Sequence, residues 1–144
     1  MKSIKEVRRK GNPNYFDFES AETDSNEELI ERVVAFLRDK PGSVDELPDG
    51  SFFHGAKVDN KPNGTGFVAI FDECNSEILE QVYVGHFVDG KANKFGHLIF
   101  DRGEGRYTGE WYEGKYHGKG TFKREWASDK KYGLIENQYY DGYW

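Results

Sequence analysis

Cysteine is almost absent from this 144-residue chain, which carries a single one at Cys74. One thiol cannot close an internal disulfide, and it cannot supply the several thiolates of a structural zinc site. No stretch approaches the roughly 18 apolar residues of a membrane-spanning helix. The first ten residues also lack the apolar core of a signal peptide. These absences lead us to expect a soluble, cytoplasmic protein.

A basic stripe is missing as well. From residue 51 onward the chain has 14 acidic and 12 basic residues, a net charge of −2. Residues 1–10 carry five bases against Glu6, and residues 17–31 carry seven acids and no base. A protein that binds nucleic acid needs a basic surface that displaces counterions from the phosphate backbone. We therefore expect no nucleic-acid partner.

Aromatic residues and glycine are, by contrast, abundant. Aromatic residues make up 16% of the chain, and 17 residues are glycine. A Pro/Ser-rich disordered chain would lack the aromatic residues. The combination predicts β-structure with many tight turns.

The N-terminal part of the chain predicts one helix. Residues 1–24 have a turn, an aromatic group and an acidic run, and we expect them to be loosely structured. Ser25 and Glu28 form a capping-box pattern, and Pro41 follows the apolar stripe as a stop signal. The stripe recurs at spacings of three and four and consists of Leu29, Ile30, Val33, Val34 and Leu37. Residues 25–42 are therefore predicted to be an amphipathic helix that either packs on the sheet or docks a partner.

Residues 51–144 repeat one pattern of aromatic residues and glycine. Units start at Phe53, Tyr83 and Tyr107, and a partial unit starts at Tyr140. The starts are 30, 24 and 33 residues apart, so the extra length should lie in hairpin loops. The third unit shows the pattern most completely, with marked positions Tyr107, Gly109, Trp111, Gly114, Gly118 and Gly120.

Each unit predicts one β-hairpin. In the third, residues two apart place Tyr107, Gly109 and Trp111 on one face of a strand. Gly114 supplies the positive φ of the turn, and Asn60 can take its place in the first unit. The strand glycines, Gly118 and Gly120 among them, should make room for large rings of the neighbouring strand. Lys94 stands where the second unit should have such a glycine.

The residues from Gly105 to Phe122 resemble a MORN repeat (membrane occupation and recognition nexus), with the pattern Y-x-G-x-W-x-x-G-x-x-H-G-x-G. The unit from Tyr107 matches every marked position, His117 included. The unit from Phe53 has Lys57 in place of tryptophan, and the unit from Tyr83 has Phe87 there. The resemblance covers about residues 51–144. It implies a single-layer, elongated antiparallel sheet of hairpins that acts as a protein-interaction scaffold through an aromatic-lined groove.

A single-layer sheet cannot hide both of its faces. We therefore expect part of the ring surface to stay open to a partner protein or peptide. The expected partner-binding residues are the aromatic residues at the first and fifth positions of the units: Phe53, Tyr83, Phe87, Tyr107, Trp111, Tyr140 and Trp144. The strand that begins the last unit is expected to be an open edge, which could add a partner strand or form a homodimer.

The sequence does not indicate an enzyme. The four histidines, His54, His86, His97 and His117, have no metal-ligand spacing, and no nucleophile motif or phosphate-binding loop is present. We expect no catalytic residue, metal or cofactor. The alternative to a protein scaffold is a peripheral membrane module that binds anionic phospholipid, with Lys115, Lys119, Lys123 and Arg124 as a local basic group. A carbohydrate-binding repeat is less compatible with an intracellular chain.

Overall fold

The fold is a single antiparallel sheet with one helix before it. The computed structural model describes residues 16–124 and the backbone of residues 125 and 137–143. Helix α1 (Asn26–Asp39) is followed by eight described strands, and strands adjacent in sequence are paired with each other along the sheet. They are β1 (Asp45–Glu46), β2 (Phe52–Val58), β3 (Lys61–Phe71), β4 (Leu79–Val88), β5 (Lys91–Phe100), β6 (Gly105–Tyr112), β7 (Lys115–Glu125) and β8 (Asn137–Tyr143). The predicted fold class, mainly β with an N-terminal helix, is confirmed.

Two-residue turns close the three hairpins β2–β3, β4–β5 and β6–β7. They lie at 59–60, 89–90 and 113–114, and both residues of each turn have positive φ. This geometry matches the twist of the flanking strands, which is why such turns dominate tight hairpins. Gly114 at φ 82° and Asn60 at φ 65° take the conformations expected of them.

The extra length of the units lies between hairpins and not at their turns, which corrects our expectation. Residues 72–78 connect β3 to β4, whereas only residues 101–104 connect β5 to β6. Arg102, in the second connection, donates hydrogen bonds to Asp72 in the first at 2.6 Å and to Glu80 at the start of β4 at 3.2 Å. The connection from β7 to β8 lies outside the described residues.

A continuous row of glycines crosses the sheet, one on each strand from β2 to β8. The paired members are Gly55, Gly66, Gly85, Gly96, Gly109, Gly120 and Gly142. A second row, two residues away on each strand from β2 to β7, holds large side chains: Phe53, Val68, Tyr83, Leu98, Tyr107 and Phe122. Because residues two apart share a face, both rows belong to the same face of the sheet. The strand β8 keeps this register, since Tyr140 pairs with Phe122.

Helix α1 covers the opposite face. The predicted capping box is present: Ser25 Oγ accepts from Glu28 N at 3.1 Å, and Glu28 Oε1 accepts from Ser25 N at 2.8 Å. Leu29, Val33 and Phe36 are buried on the helix. They share one core with sheet residues that alternate with the glycine face, namely Phe67, Ala69, Leu79, Val82, Val84 and Ile99. The helix thus packs on the sheet, one of the two roles that the sequence left open.

Residues 16–24, before the helix, are also packed on the sheet. This corrects the expectation that residues 1–24 are loosely structured, for the part that the structure describes. Phe16 is 3% exposed, and its ring lies 4.8 Å from that of Phe67 between centroids. Arg106, on β6, donates hydrogen bonds to the carbonyl oxygens of Ala21 and Asp24. Apolar burial and these two bonds fix the segment on the sheet. Residues 1–15 lie outside the described part of the chain.

Candidate interaction surfaces

Five of the predicted partner-binding residues come together on the glycine face. This aromatic cluster consists of Phe53, Tyr83, Phe87, Tyr107 and Trp111. The rings meet edge to face, with centroids 5.1 Å apart for Tyr83 and Trp111 and 5.3 Å apart for Phe53 and Phe87. Edge-to-face contacts of this kind add to the stabilisation from burial, because the positive ring edge meets the negative ring face.

The first ring of each unit covers a glycine on the return strand of its own hairpin. A Cβ atom on Gly66 would lie 2.6 Å from the Phe53 ring, and one on Gly96 or Gly120 would collide with the ring of Tyr83 or Tyr107. The prediction that strand glycines make room for rings is therefore confirmed at these three positions. The glycine is required for space, because no side chain fits beneath the ring.

The two tyrosines of the cluster also bond to the backbone at the same place in their units. Tyr83 Oη donates to the carbonyl of His86 at 2.8 Å, and Tyr107 Oη donates to that of Glu110 at 3.0 Å. Burial raises the pKa of Tyr83 well above its ordinary value. Each hydroxyl therefore stays protonated and fixes the irregular step in its strand.

The fifth residue of each unit joins its hairpin to the previous one. Phe87 packs against Phe53, and Trp111 packs against Tyr83. Trp111 Nε1 also donates to the carbonyl of Gly96, on the preceding hairpin, at 3.2 Å. Rings also meet within a hairpin, Tyr83 with Phe87 and Tyr107 with Trp111, so the ring contacts of the cluster run both within and between hairpins.

Little ring surface is left exposed in this cluster, contrary to our expectation. The five rings are 0–6% exposed, because smaller side chains and Tyr116 close the gaps around them. The Tyr107 and Tyr116 rings stack with centroids 4.2 Å apart. The side chain of Tyr140 and all of Trp144 lie outside the described residues. The described rings form an internal core, and a partner could reach them only at the margins.

Lys94 and Gly118 occupy a special backbone position, which corrects our view that a glycine here makes room for a ring. Gly64, Lys94 and Gly118 stand at the same place in three units, and their φ angles are 106°, 64° and 56°. What this position requires is the left-handed conformation, which favours glycine but which other residues adopt at a cost. Beside Gly118 lies the carboxylate of Glu110 and not an aromatic ring.

The four histidines are placed apart. His97 is 7% exposed and its Nδ1 lies 3.0 Å from Thr108 Oγ1. Burial, aided by the charge of Arg106, lowers its pKa to about 4, so the ring is neutral at pH 7. His54 packs beside Phe36, whereas His86 and His117 are exposed. Among residues 16–124 no three histidine, cysteine or carboxylate side chains converge on a possible metal position.

A groove that sequence reasoning missed lies at the end of the sheet opposite the hairpin turns. Its volume is about 1250 Å³, and we call it the helix–sheet groove. Its apolar lining is Val34, Leu37, Pro41, Val44, Phe52, Ile70 and Phe71, and its polar lining is Arg38, Glu46, Asp49, Ser51, Asp72, Glu73, Ser76 and Glu77. These residues come from the helix, the 41–52 segment, the end of β3 and the connection that follows. No local sequence pattern could have joined four separate segments.

Exposed apolar side chains also mark the turn end of each hairpin. Val58, Val88 and Tyr112 are 53%, 39% and 54% exposed, and all three are the sixth residue of their unit. Each is paired across the turn with a lysine, namely Lys61, Lys91 and Lys115. We call this row the hairpin tips.

Comparison with known proteins adds no family to this geometry. No protein-family model matches the chain, and no characterised protein matches its sequence. Within the described residues, α1 and the shorter helical turns are not long and apolar enough to cross a membrane.

Proposed function

We propose that this chain is a non-catalytic scaffold that binds a segment of another protein. The helix–sheet groove carries the proposal. Ile70 remains 39% exposed in it, and Phe52 and Phe71 pack edge to face in its lining with centroids 5.9 Å apart. Partly exposed apolar and aromatic side chains in a concave surface are the usual anchor points for a partner.

We further propose that the repeat region is of MORN type. Two observations support this: each repeat is one hairpin, and the first ring of each unit covers a glycine of the same hairpin. The proposal gives the aromatic cluster a supporting role, since its rings stiffen the sheet that presents the groove. Tyr140 and Trp144 continue the pattern and remain proposed partner contacts.

The terminal strand offers a second way to bind. Strand β8 is paired with β7 on one side, and among the described strands it is the last in the sheet. A strand from a partner, or from a second copy of this chain, could extend the sheet there through backbone hydrogen bonds. We propose a cytoplasmic setting because Cys74 is free and exposed, as is compatible with a reducing compartment.

Binding of anionic phospholipid is the second candidate function, and the hairpin tips favour it. Apolar side chains flanked by lysines can enter the interface of a membrane while the ammonium groups meet phosphates. The tips also carry Asp59, Asp89 and Glu113, however, and Asp89 lies 3.6 Å from Lys61. These acids offset the lysines, so we rank the lipid function second.

Selection of random displayed peptides on the immobilised full-length chain tests the scaffold proposal. Peptides that are enriched should bind the free chain in solution, and Ile70→Asp should weaken them by about tenfold or more, because it places a charge in the apolar lining. Fluorescence anisotropy gives the affinities, and circular dichroism checks the fold of each variant.

Val88→Asp is the matched control, because Val88 and Ile70 are both 39% exposed strand residues but Val88 lies at the hairpin tips. Equal loss of peptide binding in the two variants would contradict the groove as the site. Sedimentation with phosphatidylserine vesicles tests the lipid candidate, for which the roles reverse: Val88→Asp should lose binding and Ile70→Asp should keep it.

A further inference from the structure

The rim of the helix–sheet groove is strongly acidic. Five carboxylates line it, and Arg38 is the one cation among the lining residues. Arg38 is itself engaged with Asp39 at 3.1 Å, and Asp72 is engaged with Arg102 at 2.6 Å. The other four carboxylates have no cationic partner among the described residues: Glu46, Asp49, Glu73 and Glu77.

The side chains of these four residues are exposed. Asp49 accepts hydrogen bonds from the hydroxyl of Ser51 at 2.5 Å and from its backbone N–H at 2.9 Å, which lower the pKa of Asp49. All four side chains reach solvent, so binding a cation does not require burying a charge first. The groove therefore combines an apolar lining with an unbalanced negative rim.

We propose that the helix–sheet groove binds a basic amphipathic peptide segment of a partner protein, in which aliphatic side chains are flanked by lysine or arginine. The aliphatic side chains contact Val34, Leu37 and Ile70, and the cations meet the four rim carboxylates that have no cationic partner among the described residues. This inference rests on the proposed scaffold function and names the class of partner. Charge complementarity of this kind steers encounter and selects among partners.

The same rim disfavours the other polymers that a surface groove could bind. Nucleic acids and anionic membranes carry dense negative charge, which the rim carboxylates repel. An acidic or neutral segment would gain the apolar contacts alone. A basic segment gains both, so charge decides between peptides of equal hydrophobicity.

Two synthetic peptides test the inference, one alternating leucine with lysine and one alternating leucine with glutamate. Both are labelled with fluorescein and titrated with the full-length chain. We expect the lysine peptide to bind about tenfold tighter or more, and its affinity to fall as salt is added, because the rim charges are exposed. If the two peptides bind equally, or if neither binds, the inference is overturned, whereas the scaffold proposal is decided by the separate peptide selection.

Charge reversal locates the binding. Glu46→Lys combined with Glu77→Lys should weaken the lysine peptide by about tenfold, because two attractions become repulsions. The matched control combines Glu22→Lys with Glu113→Lys, two exposed acids outside the groove lining with the same change in net charge. An equal effect of both pairs would show attraction to the net charge of the molecule and would overturn the inference.

The chain's own first ten residues share the proposed chemistry, with five bases around Ile4 and Val7. The groove could therefore be occupied either by a partner segment or by these N-terminal residues. A full-length variant with Lys5, Arg8, Arg9 and Lys10 all replaced by glutamine decides between the two. An unchanged affinity for the lysine peptide supports a partner in the groove. A gain of about tenfold would show that the N-terminal residues occupy it, and would overturn the assignment to a partner.

Discussion

Tyr107 and Gly120 show how single residues determine this sheet. The ring of Tyr107 occupies the space where a Cβ atom at position 120 would lie. The ring and the glycine together therefore close the surface of the sheet at this point, and neither does so alone. Gly120→Ala should lower the free energy of unfolding by about 2–3 kcal/mol, because either the ring or the strand must shift. Urea unfolding monitored by circular dichroism measures the change.

The control for this substitution is Gly42→Ala. No atom lies within 4 Å of a Cβ at Gly42 and its φ is not positive, so the change should stay within about 0.5 kcal/mol. In a Tyr107→Leu background, Gly120→Ala should cost much less than it does in the wild type. Strict additivity of the two substitutions would contradict the proposed contact.

His97 makes stability depend on pH. Its pKa is about 4 in the folded chain, below the ordinary value of 6.5, so the unfolded chain binds the extra proton between these values. The free energy of unfolding should therefore fall as the pH drops from about 6.5 to about 4, by at most ~1.4 kcal/mol per pH unit. Unfolding in urea at a series of pH values measures the slope.

The variant His97→Gln removes the titrating imidazole and keeps a polar group beside Thr108. The dependence of the unfolding free energy on pH should therefore flatten between about pH 6.5 and about pH 4. Asp49 and Asp72, whose pKa values are lowered, add their own loss of stability below about pH 5, so the slopes are compared between about pH 6.5 and about pH 5. The same slope in variant and wild type would show that another group titrates.

At the scale of elements, helix α1 depends on its first turn. The reciprocal bonds of Ser25 and Glu28 satisfy backbone N–H groups that no helical carbonyl reaches. Ser25→Ala should cost about 1 kcal/mol of stability, and adding Glu28→Ala should cost less than it does alone, since one bond of the pair is already lost. Ser76→Ala, at an exposed position in a connection, is the control and should change stability little. Thermal unfolding followed at the helical band gives the comparison.

The elements themselves could be predicted because their signals are local. A capping box, a turn glycine and residues two apart in a strand are all read within a few positions, and the helix, the hairpins and the turn at 113–114 follow from them. The role of Lys94 could not be predicted, because a glycine in a pattern does not reveal whether it supplies space or a positive φ. The burial of the five rings and the helix–sheet groove depend on how distant segments meet, which the spacing of one strand does not contain.

At the scale of the whole molecule, helix and sheet should unfold together. Leu29 and Val33 share one core with Val82 and Ile99, so opening α1 exposes the face of the sheet. The slowest-exchanging amides of α1 and of β4 should report the same opening free energy in native-state hydrogen exchange. Leu29→Ala should lower both by about 2–4 kcal/mol.

The exposed Val58 supplies the comparison for that experiment, since Val58→Ala removes apolar atoms without opening a cavity. It should leave the exchange of both elements nearly unchanged. If α1 exchanged with a lower free energy than β4, and Leu29→Ala affected α1 alone, the helix would be a separate cooperative unit.

The covering of each glycine by a ring of its own hairpin has a consequence for how such a chain can change its length. Each of the three complete hairpins carries its own seal of a ring over a glycine, and it meets its neighbour through the ring of the fifth position and a full antiparallel ladder, β3 with β4 and β5 with β6. The energetics then resemble a one-dimensional chain of like units with nearest-neighbour coupling. Duplication of one hairpin would add a unit and one interface while leaving the other seals intact, so a gene could lengthen this sheet by whole hairpins without a redesigned core.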